Sequence, residues 1–163
     1  MVHIRYIVII LVSIFLQSTL IKFIAISPFN ITPDIVLLAV LYISIKVGNF
    51  YGPIYGFSAG LFIDIISGSF VGLCALLYTI ICFITGYLKK DDDRLLRNYN
   101  FLIITLIFSL IFFIIYYFFY FQGTSLTLID ILIRYIIPTS AFTSLFSLFY
   151  IFLIIKRKMK TQY

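Results

Sequence analysis

The chain has 163 residues, of which 63% are hydrophobic and 11% are charged, and its mean hydropathy is +1.17. Soluble domains carry about 25% charged residues, so the composition excludes a soluble globular protein and indicates a polytopic membrane protein. The net charge of +6 would also fit a nucleic-acid partner, but the positions of the basic residues favour membrane topology instead.

Six apolar segments predict an all-α membrane protein, a single domain over residues 1–163. The predicted spans are 4–22, 33–46, 52–66, 70–88, 101–121 and 129–155, and residues 89–100 form a polar cytoplasmic loop. A helix needs about 20 residues to cross the hydrocarbon core. The second and third spans are therefore short, and we expect them to be tilted or packed among the other helices.

The basic residues are unevenly distributed between the two sides of this six-span plan. Ten of the twelve Lys and Arg residues fall at the termini or in the even-numbered loops, and only Lys22 and Arg134 fall on the other side. Because positive residues concentrate on the cytoplasmic side, both termini are predicted to be cytoplasmic.

Polar residues mark the ends of the first two spans. Gln17, Ser18 and Thr19 form a polar notch, and side chains at such a depth usually hydrogen-bond a neighbouring helix. Pro33 and Asp34 follow a threonine, a pattern that places Pro33 at the first helical position and Asp34 at the second. At that position the aspartate favours the positive end of the helix dipole.

A glycine row with a spacing of four residues runs through the third span. Its members are Gly48, Gly52, Gly56, Gly60, Asp64, Gly68 and Gly72. Residues four apart lie on nearly one face of a helix, so from Gly52 onward the row predicts a groove in which another helix backbone approaches closely. That helix could belong to the same chain or to a partner protein.

Asp64 is the sharpest candidate for a functional residue, since it lies within an apolar span. A carboxylate costs about 2.5 to 3.5 kcal/mol at the bilayer centre, so a compensating partner is expected. Asp64 could receive a cation from a partner protein, relay protons or bind an ion. It could equally cap the following turn or pair with Arg134 or Lys22.

The later spans carry structural rather than chemical signals. Span four contains Cys74 and Cys82, which are too far apart on one helix to form a disulfide. Span five is uncharged and is expected to face lipid broadly. In span six, Pro138 predicts a kink, and a hydroxyl stripe is expected to bond freed carbonyls or a neighbouring helix. That stripe consists of Ser140, Thr143, Ser144 and Ser147.

Catalytic motifs are missing from the sequence. It contains a single histidine, His3, no glutamate, no His/Cys metal-binding cluster and no phosphate-binding loop. General acid–base chemistry would have to rest on aspartates alone. We therefore expect a protein that is not an enzyme and that uses neither a metal nor a cofactor.

Three motifs resemble the family of the rod shape-determining protein MreD. They are LQSTL at 16–20, PDIVLL at 33–38 and GFSAGLFIDIISG at 56–68, the last followed by Gly72 and Leu73. The family-like positions are Gln17, Pro33, Asp34, Gly56, Gly60, Asp64, Gly68 and Gly72. The motifs fall within residues 1–88, and beyond them length and hydropathy agree.

The resemblance implies a non-enzymatic subunit of the bacterial elongation machinery in the cytoplasmic membrane. Its implied partners are the bitopic protein MreC, the actin-like MreB filament, and the RodA and penicillin-binding peptidoglycan synthases. The implied mechanism is a scaffold in which spans two to four present the glycine-lined groove to the single MreC helix.

Two other functions remain open. The six-helix plan is similar to that of substrate-binding subunits of energy-coupling-factor vitamin transporters, which would need a polar pocket. Its candidate lining residues are Gln17, Asn30, Asp34, Asp64, Gln122 and Arg134. A proton or ion channel would rest on Asp64 alone.

Overall fold

A computed structural model describes residues 2–24, 31–68, 70–91, 98–122 and 127–159, and this part of the chain is all-helical. The helices are α1 (Val2–Ile24), α2 (Ile35–Val47), α3 (Tyr51–Ser67), α4 (Leu73–Gly86), α5 (Asn98–Tyr120) and α6. A 3₁₀ turn, Tyr87–Asp91, follows α4. Helix α6 consists of the α-helical turn Leu128–Ile131, the π-helical turn Leu132–Ile136 and the long segment Ile137–Met159.

These helices confirm the predicted all-α plan, because one lies over each predicted span. Within the described residues, two segments are long and apolar enough to cross a membrane, Asn100–Tyr120 and Leu128–Leu148. Three further apolar stretches, His3–Thr19, Ile35–Val47 and Leu73–Lys89, are shorter. Of the predicted cytoplasmic loop, residues 92–97 lie outside the described residues.

Helix α2 lies at the centre of the bundle. Ten of its 13 residues are buried, and it contacts every other helix. Its sequence is apolar on all sides apart from Ser44 and Lys46, as expected for a helix surrounded by other helices. The short second span is therefore an interior helix.

Two pairs of helices pack around this centre. The α3–α4 hairpin has the most extensive interface, followed by the α5–α6 pair. The Tyr78 ring of α4 stacks on the Phe112 ring of α5, with centroids 5.1 Å apart, and joins the two pairs. The outer face of α5 is apolar and exposed at Ile103, Ile107 and Ile111, consistent with the predicted lipid contact.

The distortion expected at Pro138 takes the form of the π-helical turn Leu132–Ile136 directly before it. Proline lacks an amide hydrogen, and its ring collides with the carbonyl four residues earlier. A π-helical turn accommodates such a break. The predicted hydroxyl stripe is buried, and each of its hydroxyls donates to a backbone carbonyl three or four residues earlier in α6.

The prediction that the glycine row forms a single helical face is wrong. Gly48 ends α2, whereas Gly68 and Gly72 lie in the turn between α3 and α4, and all three have a positive φ of 99°, 62° and 99° respectively. Glycine adopts this conformation without the steric cost that a Cβ atom brings. Only the middle of the row, from Gly52 to Asp64, lies on α3.

Candidate functional site

Asp34 is the N-cap of α2 rather than its second helical residue. Its backbone is extended (φ −88°, ψ 90°), and its Oδ1 accepts a hydrogen bond from the Leu37 amide at 2.8 Å. The predicted start at residue 33 is thus wrong by two residues. The reason is that the aspartate side chain supplies the capping oxygen, which requires Asp34 itself to stay outside the helix.

The start of α2 joins side chains from three other helices. Gln17 Oε1 of α1 accepts from the Val36 amide at 2.9 Å, and the Tyr78 hydroxyl of α4 donates to Asp34 Oδ2 at 2.6 Å. The Asp34 amide donates to Thr143 Oγ1 of α6 at 3.1 Å. We call these four residues, Gln17, Asp34, Tyr78 and Thr143, the α2 cap cluster.

The prediction that the polar notch of α1 hydrogen-bonds a neighbouring helix is only partly correct. Gln17 bonds α2 as predicted, but the Ser18 and Thr19 hydroxyls donate to the Phe15 carbonyl in their own helix. A short hydroxyl side chain reaches the carbonyl three or four residues earlier more readily than it reaches a neighbouring helix.

Asp64 is fully buried (0% exposed) and caps the next helix. Its two oxygens accept from the amides of Gly72 at 2.8 Å, Cys74 at 3.2 Å and Ala75 at 3.2 Å. The N-cap residue of α4, Gly72, has no side chain, so the carboxylate of α3 supplies the missing oxygen. Three of the amides that a helix N-terminus leaves unpaired are thereby satisfied.

Capping was one of the roles left open for Asp64, and pairing with Arg134 was another. The Arg134 guanidinium instead lies 3.8 Å from Asp130, four residues earlier in α6, as the sequence spacing predicts. The side chain of Lys22 and the whole of Asn30 lie outside the described residues.

Gly52, Gly56 and Gly60 of α3, which we call the glycine face, contact helices of the same chain. A Cβ atom on Gly60 would lie 2.5 Å from the Ala75 Cα of α4, and one on Gly56 would lie 2.8 Å from the Tyr78 carbonyl oxygen. On Gly52 it would lie 2.6 Å from Ser44 Oγ of α2. The groove is therefore occupied by α4 and α2, which a partner helix would have to displace.

Gly68 and Gly72 play a different part. No atom beyond the chain neighbours lies within 4 Å of a Cβ atom added at either position, so neither glycine is required for the close approach of another helix. Their positive φ angles instead form the tight turn that brings the start of α4 to Asp64.

The opposite end of α2 is held by Lys89, which the sequence placed in a solvated loop. Its Nζ donates to the Val47 carbonyl at 3.0 Å. A cation at a helix C-terminus satisfies a free carbonyl and complements the dipole. Nearby, a Cβ atom on Gly86 would collide with the Asn49 backbone, so α4 passes directly against the α2–α3 turn.

His3 also has a contact that the sequence did not indicate. Its Nδ1 lies 2.7 Å from the Tyr55 hydroxyl of α3, and its ring centroid lies 5.3 Å from that of Tyr51. The contact joins the first turns of α1 and α3. Periodicity does not reveal it, because residues 52 positions apart share no local pattern.

The buried polar side chains that the structure describes hold the helices together through hydrogen bonds. Among the described residues, no buried side-chain nitrogen or oxygen lacks a hydrogen-bond partner. The same residues contain no group of three or more His, Cys, Asp or Glu side chains able to bind a metal. Cys74 and Cys82 are both buried and free.

Comparison with known proteins adds a family. A family model described as rod shape-determining protein MreD matches residues 2–160, and thus extends the resemblance beyond the motifs of the first four spans. No curated protein and no solved structure matches the chain.

We expect the Asp64→Ala substitution to lower the free energy of unfolding by about 2–3 kcal/mol, since three amides at the start of α4 lose their acceptor. Titration with SDS in mixed micelles measures the loss. Asp130→Ala is the control, because that partly exposed carboxylate should contribute less than about 1 kcal/mol. A stable Asp64→Ala protein that has lost function would show instead that the carboxylate acts on a partner or an ion.

The Tyr78→Phe substitution should cost about 1–3 kcal/mol of stability, because it removes the hydroxyl that donates to Asp34. In a double-mutant cycle with Asp34→Asn, the two losses should add to clearly more than the loss in the double variant. Strict additivity would contradict a direct bond between the two side chains.

Gly60→Ala should destabilise the chain by about 1–3 kcal/mol, because the added methyl group meets the α4 backbone. Ser58→Ala is the matched control on the exposed face of the same helix, where we expect little change in unfolding. If Gly60→Ala left stability unchanged but abolished binding of a partner protein, the groove would belong to that partner.

Proposed function

Because the chain belongs to the MreD family of rod shape-determining proteins, we propose that it is a non-enzymatic scaffold subunit of the bacterial cell-elongation complex. It would bind an MreC-like bitopic protein and help to organise lateral peptidoglycan synthesis. The single observation that carries this proposal is the family match over residues 2–160.

The use of the buried polar groups supports a scaffold over a transporter subunit. Gln17, Asp34 and Asp64 would line a vitamin pocket, yet all three accept hydrogen bonds from helix N-termini. A ligand would have to break these bonds, and buried polar groups that lose their partners are costly. A body with its polar groups paired internally suits a component that positions other proteins.

The orientation that we propose is multi-pass, in the cytoplasmic membrane, with both termini in the cytoplasm. Lys46 lies in the last turn of α2 and Lys89 in the 3₁₀ turn that follows α4, whereas Asp34 and Asp64 lie beside the N-termini of α2 and α4. The positive-inside rule places the lysine end in the cytoplasm. An MreB-like filament would then approach the basic side.

Helix α1 is our proposed contact for the single helix of the bitopic partner. It has 23 residues, and its exposed apolar side chains include Ile7, Leu11 and Phe15. Both α1 and a bitopic helix need to cross the full hydrocarbon core. The glycine face, by contrast, is already occupied by α4 and α2.

A pull-down of the tagged full chain from its native membranes in mild detergent tests the proposal. We expect mass spectrometry to identify an MreC-like bitopic protein together with RodA and penicillin-binding synthases. Recovery of paired ATPases with a transmembrane coupling subunit would support the transporter function instead.

The α1 contact has its own test. A photo-crosslinking residue introduced at Leu11 should capture the bitopic partner in intact cells, whereas the same residue at Ile111 on the exposed face of α5 should not. Equal capture at both positions, or capture at Ile111 alone, would place the partner elsewhere on the bundle.

A further inference from the structure

The helices on the surface of this bundle differ in length. Helices α1 and α5 have 23 residues each, whereas α3 has 17 and α4 has 14. At 1.5 Å per residue, α5 extends over about 35 Å but α3 over only about 26 Å. A typical hydrocarbon core is about 30 Å thick, so it matches α5 but exceeds α3.

The short helices α3 and α4 each have one side exposed on the surface of the bundle. Six of their exposed apolar side chains, which we call the short face, are Ile54, Phe57, Phe62, Leu76, Ile80 and Phe83. Helix α2 is shorter still, but it is buried and presents no such surface. The short face is therefore the surface at which helices shorter than the hydrocarbon core would contact the membrane.

Both ends of the short face are fixed by polar contacts. At one end, Lys89 is bonded to the Val47 carbonyl at the end of α2. At the other end, Asp64 bonds the Gly72, Cys74 and Ala75 amides and draws the α3–α4 turn back against α3. These two contacts fix the positions of both ends of the α3–α4 hairpin.

The tip of this turn is apolar. Phe70 and Val71 are 60% and 73% exposed, and they directly precede Gly72, the N-cap residue of α4. Apolar side chains at the end of a helical hairpin favour contact with acyl chains, while the polar backbone of the turn needs headgroups or water nearby. The two demands are met together when the bilayer surface lies close to this turn.

We propose that the short face binds lipids with shorter acyl chains and thins the bilayer locally on one side of the protein. The α5 face, of ordinary length, would contact a bilayer of ordinary thickness. A helix shorter than the hydrocarbon core is accommodated by thinning of the bilayer, at a small cost for each ångström of mismatch. The inference rests on the proposed crossing of the membrane by α3 and α4.

Tryptophan fluorescence tests this proposal, because the chain contains no tryptophan. Phe57→Trp places a single reporter on the short face, and Ile111→Trp places one on α5. Each full-length protein is reconstituted in mixtures of brominated dioleoyl phosphatidylcholine with dimyristoleoyl, dioleoyl or dierucoyl phosphatidylcholine. Bromine quenches only nearby indoles, so the extent of quenching reports which lipid contacts each face.

We expect dimyristoleoyl lipid to displace the brominated lipid from the Phe57→Trp protein about twofold better than dierucoyl lipid does. The Ile111→Trp protein should show no such preference. The same chain-length preference at both positions would overturn the proposal. Absence of any quenching in the Phe57→Trp protein would also overturn it, but by showing that α3 does not face hydrocarbon, which contradicts the proposed membrane crossing itself.

Discussion

The fold depends on two carboxylates that cap helix N-termini inside the protein. Asp34 and Asp64 are both buried, at 6% and 0% exposure, and they accept hydrogen bonds from the first amides of α2 and α4. In an apolar environment each unpaired amide costs several kcal/mol. Helices α2 and α4 can begin inside the protein because the two carboxylates accept hydrogen bonds from their first amides. Each buried carboxylate is tolerated in turn because these amides replace the water that it has lost.

The other contacts extend this arrangement into a bundle. The Asp64 cap fixes the α3–α4 turn, which allows the glycine face to lie directly against α4. Tyr78 then reaches Asp34 from α4 and also stacks on Phe112 of α5. Because Tyr78 takes part in both contacts, the α3–α4 hairpin, the central helix and the α5–α6 pair are positioned together rather than separately.

Hydropathy and charge were sufficient to predict six helices, because long apolar runs have few alternatives in a membrane. The four-residue spacing of Asp130 and Arg134 is likewise typical of an ion pair on one helix. The role of Asp64 could not be chosen from the sequence, since the amides that donate to it lie 8 to 11 residues further on, across a turn whose geometry depends on Gly68 and Gly72. The His3–Tyr55 and Lys89–Val47 contacts were missed for the same reason: they join residues with no shared periodicity.

The α2 cap cluster also has a consequence for the order in which the bundle is completed during synthesis. Gln17 precedes α2 in the chain, and Tyr78 follows within 44 residues of Asp34, but Thr143 lies 109 residues after it. A ribosome produces these groups in that order, so the Asp34 amide has no Thr143 acceptor until most of the chain has been made. Helix α6 thus closes the polar end of α2, and a nascent chain that lacks α6 has no Thr143 to accept from the Asp34 amide.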